Sequence, residues 1–312
     1  MWTGRACGKV ILLGEHSVVY GQPALAAGLA GGAEATFAPA EGSGSPRDTV
    51  VLDVGGVREG ITRASDEDLG RALGALLDAL EGLSVGRSLG GTLRATLHLP
   101  PGGGVGSSAA LGVACARALG HAALNRALTM DEAIALGAAW ERVFHGNPSG
   151  IDHTAAARGG AGLFTRGQGW APVSLAAPLR VLFADTGERT PTKETVASVA
   201  RLRARRPAVV DASCEAIGAL VRNAALAARA GDWVALGQLM DLNQNLLAGL
   251  MVSTERTEHL CRLARERGAY GAKLTGGGGG GCVIAIAPED AQPAVLEAWR
   301  SAGARVFDAR VE

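Results

Sequence analysis

The run Pro101-Gly102-Gly103-Gly104-Val105-Gly106-Ser107-Ser108-Ala109-Ala110 holds the clearest chemical signal in the chain. Glycines strip Cβ atoms from a loop, so its backbone N–H groups can converge on an anion. Ala109 to Leu119 reads as a helix directly behind the loop, which places unpaired N–H groups and a partial positive charge at its back. Such a seat, Pro101 through Ala109, suits a polyphosphate. A serine at the mouth, Ser107 or Ser108, can cap the helix or ligate a phosphate-bound cation. The alternative is a glycine-rich turn with an ordinary serine cap. It is not a Walker loop, because no lysine follows the glycines. Gly4 to Lys9 comes nearest to one, but is a residue short and has Val10 where Ser or Thr belongs.

Five further segments carry candidate chemistry. Lys9 is the odd charge in an apolar strand. It is either a snorkelling edge lysine or an ammonium aimed at a transferred phosphoryl group, a reacting alcohol and Asp152. Asp152, in GNPSGIDH, either caps a helix running to Ala157 or accepts a proton from a hydroxyl beside an anionic ligand. Glu141 sits in the last turns of its helix, where the macrodipole disfavours an anion. It is therefore solvated near Arg142 or meets a cation. Glu15 and His16 follow Gly14 at a strand end, where a ligand can be read. Lys273 to Cys282, KLTGGGGGGC, sets six glycines between apolar strand-like flanks. That suits a backbone pressed close to something, such as the phosphate loop of another domain, better than a linker.

These residues need elements to hold them. The patterns predict strands over 5–13, 24–40, 49–54 and 91–99, with a turn over 41–48 and a helix over 66–83. Thr129-Met130-Asp131-Glu132 is a capping box that opens a helix ending near Phe144, before HGNPSG. Beyond a strand from Leu179, helical stretches are expected over 193–230, 232–250 and 254–267. Strand, glycine run and strand follow, then a helix over 289–302 and a strand near 304–311. The mixed order, with few βαβ repeats, argues an α+β fold, and GQGWAP suggests a boundary giving domains 1–175 and 176–312.

Hydrophobic residues make up 47% of the 312, enough for a substantial core, and aromatics at 4% leave that core to Ala, Leu and Val. Zero formal net charge and no basic run exclude a field suited to nucleic acid or acidic membranes. Five scattered cysteines without a CxxC fit reduced thiols, and no apolar run reaches membrane-spanning length, so a cytoplasmic protein is expected. Only three of the thirty basic residues are lysine: Lys9, Lys193 and Lys273. In so arginine-rich a chain, a surviving lysine marks a place that requires a compact ammonium.

Taken together, GKVILLGEHSVVYGQPALA (8–26), PGGGVGSSAA (101–110) and KLTGGGGGGC (273–282) resemble the GHMP kinase superfamily, in its expected motif order. GEHSVVYG and HGNPSGIDHTAAARGG (145–160) are most similar to its mevalonate kinase branch. Val105, Leu111, His153 and Gly277 depart from common family residues, and none of these changes removes a reactive group. The resemblance implies a two-domain α+β fold with its site in the cleft between domains. It implies ATP- and Mg²⁺-dependent phosphorylation of the C5 hydroxyl of mevalonate, with a homodimer as one possible assembly. Asp152 would be the general base, and Lys9 would stabilise the alkoxide and γ-phosphoryl. Glu141 with Ser107, or else Ser108, would hold Mg²⁺, while Glu15, His16 and Thr192 beside Lys193 would face the acceptor. The alternatives are a related kinase acting on phosphomevalonate, a sugar or the 3-hydroxyl of mevalonate, and a non-catalytic nucleotide-binding regulator.

Overall fold

The computed structural model describes residues 1–40, 49–83, 89–100, 104–145 and 149–311. Contacts divide the chain into two compact units that are not consecutive in sequence. The first holds Met1–Lys9, Gly31–Pro101 and Val105–Gly159, and the second holds Val10–Ala30, Gly104 and everything from Gly160 onward. The expected division at 175/176 thus falls inside the second unit, and two long strands each contribute to both.

In the first unit, β1 (Trp2–Leu13) and β2 (Ala24–Pro39) contribute their outer parts, joined by β3 (Val50–Val54), β4 (Arg58–Ile61) and β5 (Gly91–Leu97). Strand order is β4-β3-β5-β2, with Phe37 opposite Leu93 in an antiparallel pair and Leu52 beside Leu93 in a parallel one. β3 alternates inward and outward residues, so Val50, Leu52 and Val54 face the core. Helices α1 (Asp68–Glu81), α2 (Ser107–Leu124), α3 (Met130–His145) and α4 (Ile151–Arg158) complete this unit. Its core joins Phe37, Leu52, Leu73, Leu93, Val113 and Trp140. The α2 helix is buried nearly all round, which is why it is so rich in alanine: small side chains let neighbours close in on every face. The capping box is formed as expected, with Glu132 N–H donating to Thr129 Oγ1 at 3.2 Å and Thr129 N–H to Glu132 Oε2 at 2.8 Å.

The second unit contains β6 (Ala161–Thr165), β7 (Gly169–Val173), β8 (Leu179–Asp185), α5 (Thr192–Arg205), α6 (Pro207–Ala230), α7 (Trp233–Gly249), α8 (Glu255–Glu266), β9 (Gly271–Thr275), β10 (Cys282–Ile286), α9 (Gln292–Ser301) and β11 (Arg305–Val311). The strands run β2-β11-β8-β10-β9, antiparallel throughout, with β6 against the start of β2 and β7 outside β6. The succession β8-helices-β9-β10-α9-β11 is a split βαβ arrangement. Its core centres on Leu182, Leu260, Ala272, Val283, Val295 and Trp299.

Two expectations need correction. The single helix over 193–230 is two, because Pro207 bars Arg206 from helical geometry (φ −140°, ψ 61°) and itself opens α6. Strands β4, β6 and β7 were not expected; they are short and too polar or glycine-broken to show a clear period. The turn expected over 41–48 lies outside the described residues. Among the described residues no helix is long and apolar enough to cross a membrane.

Candidate active site

In the first unit the inner end of its β1 segment delivers Lys9, 5% exposed, whose Nζ lies 2.5 Å from Asp152 Oδ1. Asp152 stands in the first turn of α4, with 25% of its side chain exposed. It is not the cap, contrary to one sequence reading: Gly150, at φ 96°, holds that position. Loss of water raises the Asp152 carboxyl, but the Lys9 ammonium outweighs it, helped by His145 and His153, and the net position is below the usual carboxylate value. Asp152 is therefore an anion at neutral pH.

The phosphate-loop candidates lie against the same strand. Lys9 N–H donates to Val105 O at 2.7 Å, which fixes the loop on β1. Gly106 has φ 73°, and a Cβ there would stand 2.8 Å from Lys9 Cβ, so only glycine lets α2 begin this close to the ammonium. No side chain caps α2. Ser107 Oγ donates to Pro100 O at 3.2 Å, and Ser108 Oγ donates to Glu141 Oε1 at 2.6 Å. Among the described residues no side chain caps the first-turn N–H groups of Ser107, Ser108 and Ala109, the condition an anion seat requires. Pro101, Gly102 and Gly103 lie outside the described residues; Gly104 has φ 72°, within the left-handed region.

Glu141 is 1% exposed and is held from two sides, by Ser108 and by His145 Nε2 at 3.4 Å from Oε2. The Glu141 contact raises His145 against the opposing effect of burial, with Asp152 adding to the rise. A buried carboxylate and a hydroxyl 2.6 Å apart are hard oxygen donors that suit Mg²⁺. Among the described residues no cluster of three or more His, Cys, Asp or Glu could hold a metal by itself. A cation here would complete its shell with water and ligand phosphates, as Mg²⁺ characteristically does. The residue beside Glu141 is Ser108, not Ser107.

The second unit gathers the other candidates. Glu15 (1% exposed) accepts from Lys273 Nζ (fully buried) at 2.5 Å, and the same ammonium donates to Leu274 O. His16, next along the chain, has φ 60° and places Nε2 2.9 Å from Gly277 O. Burial lowers His16 below its usual value, the Gly277 contact opposing and Lys273 reinforcing. The neutral ring donates from Nε2 to that carbonyl, which leaves Nδ1 an acceptor for a hydroxyl. Thr192 opens α5, exposed, and a Cβ on Gly277 would meet its Oγ1 at 3.0 Å. His16 and Thr192 therefore flank one glycine. Gly278, Gly279 and Gly280 are pressed against their own unit: a Cβ on Gly278 would stand 2.3 Å from Val252 O, and one on Gly280 2.6 Å from Glu188 O, whereas Gly276 and Gly281 have open space around them and φ of 88° and 79°. Close approach thus explains Gly277 to Gly280, with Thr192, Val252, Thr190 and Glu188 as the neighbours, and a left-handed backbone explains Gly276 and Gly281.

Comparison with known proteins agrees with this geometry. The family model described as the GHMP kinases N terminal domain matches residues 69–160, and that for the GHMP kinases C terminal matches 209–305. The mevalonate kinase of Thermococcus sibiricus is 35% identical over 313 residues, covering 95% of this chain and 91% of its own. The chain belongs to the GHMP kinase family. That of Pyrococcus furiosus is 34% identical with the same coverage, and the mouse mevalonate kinase 30% identical over 95% of this chain and 89% of its own. The structure of L. major mevalonate kinase in complex with R-mevalonate superposes with a TM-score of 0.85 at 28% identity, covering 100% of this chain and 96% of that one. A Lactococcus lactis galactokinase complexed with galactose shares the fold, with a TM-score of 0.79 at 20% identity, covering 99% and 93% of the two chains.

This GHMP kinase also uses residues that sequence reading passed over. His145 touches Glu141 one helical turn away, an i,i+4 relation legible only once Glu141 is known to face inward. Asn243 is fully buried and accepts Gly14 N–H on Oδ1 at 3.2 Å, tying α7 to the turn that carries Glu15 and His16. Its neighbour Gln244 accepts Leu274 N–H at 2.9 Å. Two adjacent amides inside an apolar helix were the available signal.

Proposed function

We propose that this GHMP kinase transfers the γ-phosphoryl group of ATP to the C5 hydroxyl of mevalonate, giving 5-phosphomevalonate. The observation that carries the reading is the Lys9–Asp152 pair beside an uncapped α2 N-terminus. Asp152 Oδ takes the proton from the acceptor hydroxyl as the new oxygen–phosphorus bond forms and the bond to the departing diphosphate breaks. A carboxylate held this acidic is a weak base, which suits a loose transition state that needs the proton only late. Lys9 holds Asp152 in place and faces the charge that develops on the hydroxyl oxygen. The N–H groups of Ser107, Ser108 and Ala109, with the Val105–Gly106 backbone, seat the phosphates. Glu141 and Ser108 are the residues that would hold Mg²⁺, which would supply neutralisation of phosphate charge there. In the second unit His16 and Thr192 are the candidates for contact with a hydroxyl, His16 through Nδ1, whereas Glu15 is sealed against Lys273 and fixes the turn that carries His16.

Sequence identity of 35% to a mevalonate kinase, over 95% of the chain, supports that acceptor over a sugar or phosphomevalonate. The test is ADP release by the purified chain with ATP, Mg²⁺ and a panel of mevalonate, phosphomevalonate and galactose, with the product identified by mass. Turnover confined to mevalonate is expected. Turnover with another acceptor alone would reassign the substrate, and silence with all three would leave a nucleotide-binding protein.

A further inference from the structure

Arg117 lies past the middle of α2, half-buried, and its guanidinium joins two other elements of the first unit. Nη1 donates to Arg5 O in β1 at 2.5 Å, and Nη2 donates to Ala157 O in α4 at 2.7 Å. Ala157 O is one of the last four carbonyls of α4, which the helix itself leaves without a donor. A cation there also meets the negative end of the helix dipole.

The contact is built into the packing around it. A Cβ on Gly4 would stand 2.2 Å from Ala114 O and 2.7 Å from Arg117 Cβ, so glycine is what lets β1 lie this close to α2. Gly159 ends α4 at φ 66°, and a Cβ there would stand 3.3 Å from Cys7 Sγ, so the end of α4 rests on β1 as well. Four residues beyond Arg5, Lys9 N–H donates to Val105 O. The α2 helix and the loop ahead of it thus grip β1 at both ends of the segment that leads to the ammonium. Lys9 lies about 13 Å along the strand from Arg5, and Asp152 about 8 Å along the helix from Ala157.

We propose that Arg117 is a positioning residue for phosphoryl transfer: it sets the strand that carries Lys9 against the helix that carries Asp152, and so fixes their contact. The inference rests on the reading of Asp152 as the base. A planar fork of donors suits acceptors on two different elements, and a point-like ammonium lacks that fork. Displacing a reacting group by 1 Å costs about a hundredfold in rate, so a staple remote from the chemistry can govern turnover.

The test compares the wild-type chain with Arg117→Met and Arg117→Lys. It reads kcat and KM with ATP and mevalonate, and the titration of the Asp152 carboxyl by carbon NMR, which needs no turnover. Arg117→Met should lower kcat roughly tenfold and leave KM for ATP nearly unchanged. Lys9, His145 and His153 are the groups that act most on the Asp152 carboxyl. Loosening the Lys9 contact returns that carboxyl toward its ordinary value, so it should titrate at higher pH, and the acid limb of kcat/KM should rise with it. Arg117→Lys keeps the charge and loses the fork. It should fall between the other two in both readouts, and it carries the test if Arg117→Met does not fold. A lower melting temperature with kcat and the Asp152 titration at wild-type values would overturn the inference, leaving Arg117 a structural staple. A wild type inactive with every acceptor would overturn the kinase reading instead, and shows before any variant is compared; the titration then still decides whether Arg117 fixes the pair.

Discussion

Two lysine–carboxylate pairs, each with a 2.5 Å contact, lie in this chain under opposite conditions. Lys273 and Glu15 are sealed, at 0% and 1% side-chain exposure, whereas Asp152 opposite Lys9 keeps 25%. Burial lowers Lys273, with Glu15 opposing; at Asp152 the partner's charge prevails over burial. A sealed pair cannot meet a substrate, so its work is to fix the turn that carries His16. A pair with one accessible oxygen can exchange a proton with a bound hydroxyl. Under the proposed function, equal contact distances serve positioning in one unit and chemistry in the other, and solvent access makes the difference.

The largest expected effect sharpens that contrast. Lys273→Met should cost about 4 kcal/mol of stability in denaturant unfolding, because Glu15 is left charged and buried. Adding Glu15→Gln should recover part of the loss. Asp152→Asn should cost some stability, because it leaves the nearly buried Lys9 ammonium without its counter-charge, but should keep nucleotide affinity near wild type while turnover drops on the order of 10²-fold or more, about 3 kcal/mol of barrier. Near-normal turnover would break the comparison by moving the chemistry elsewhere. The pH profile adds a sign: a carboxyl whose folded position is depressed stays ionised, and keeps its stabilising contribution, until pH falls below its ordinary value. The acid limb of kcat/KM should accordingly lie below about pH 4; a limb near neutrality would assign the base to a histidine. Ser108→Ala should raise the Mg²⁺ requirement about tenfold and Ser107→Ala far less, read from activity against metal concentration. Smallest of all, Thr129→Ala at the α3 cap should cost about 1 kcal/mol in thermal unfolding and leave kinetics alone.

Much of this was legible in the residues. Glycines before a helix, a lone lysine in an apolar strand and the Thr129–Glu132 box each carry their reason locally, in backbone freedom, charge or capping. What stayed hidden depended on partners far away in the chain. Glu15 and Lys273 are 258 residues apart, and no periodicity links them. Asn243 and Gln244 read as helix residues until Gly14 and Leu274 arrive against them. The two serines look interchangeable at the α2 start, and only the arrival of Glu141 from α3 distinguishes them.

Most of the strands and helices, the glycine-rich loop ahead of α2 and the candidate reactive residues were thus determined by the amino-acid sequence itself, because each follows from interactions within a few residues. Tertiary structure alone decided which ammonium meets which carboxylate and how much water each pair keeps. Both outcomes turn on how distant segments exclude solvent, a quantity that no local pattern contains.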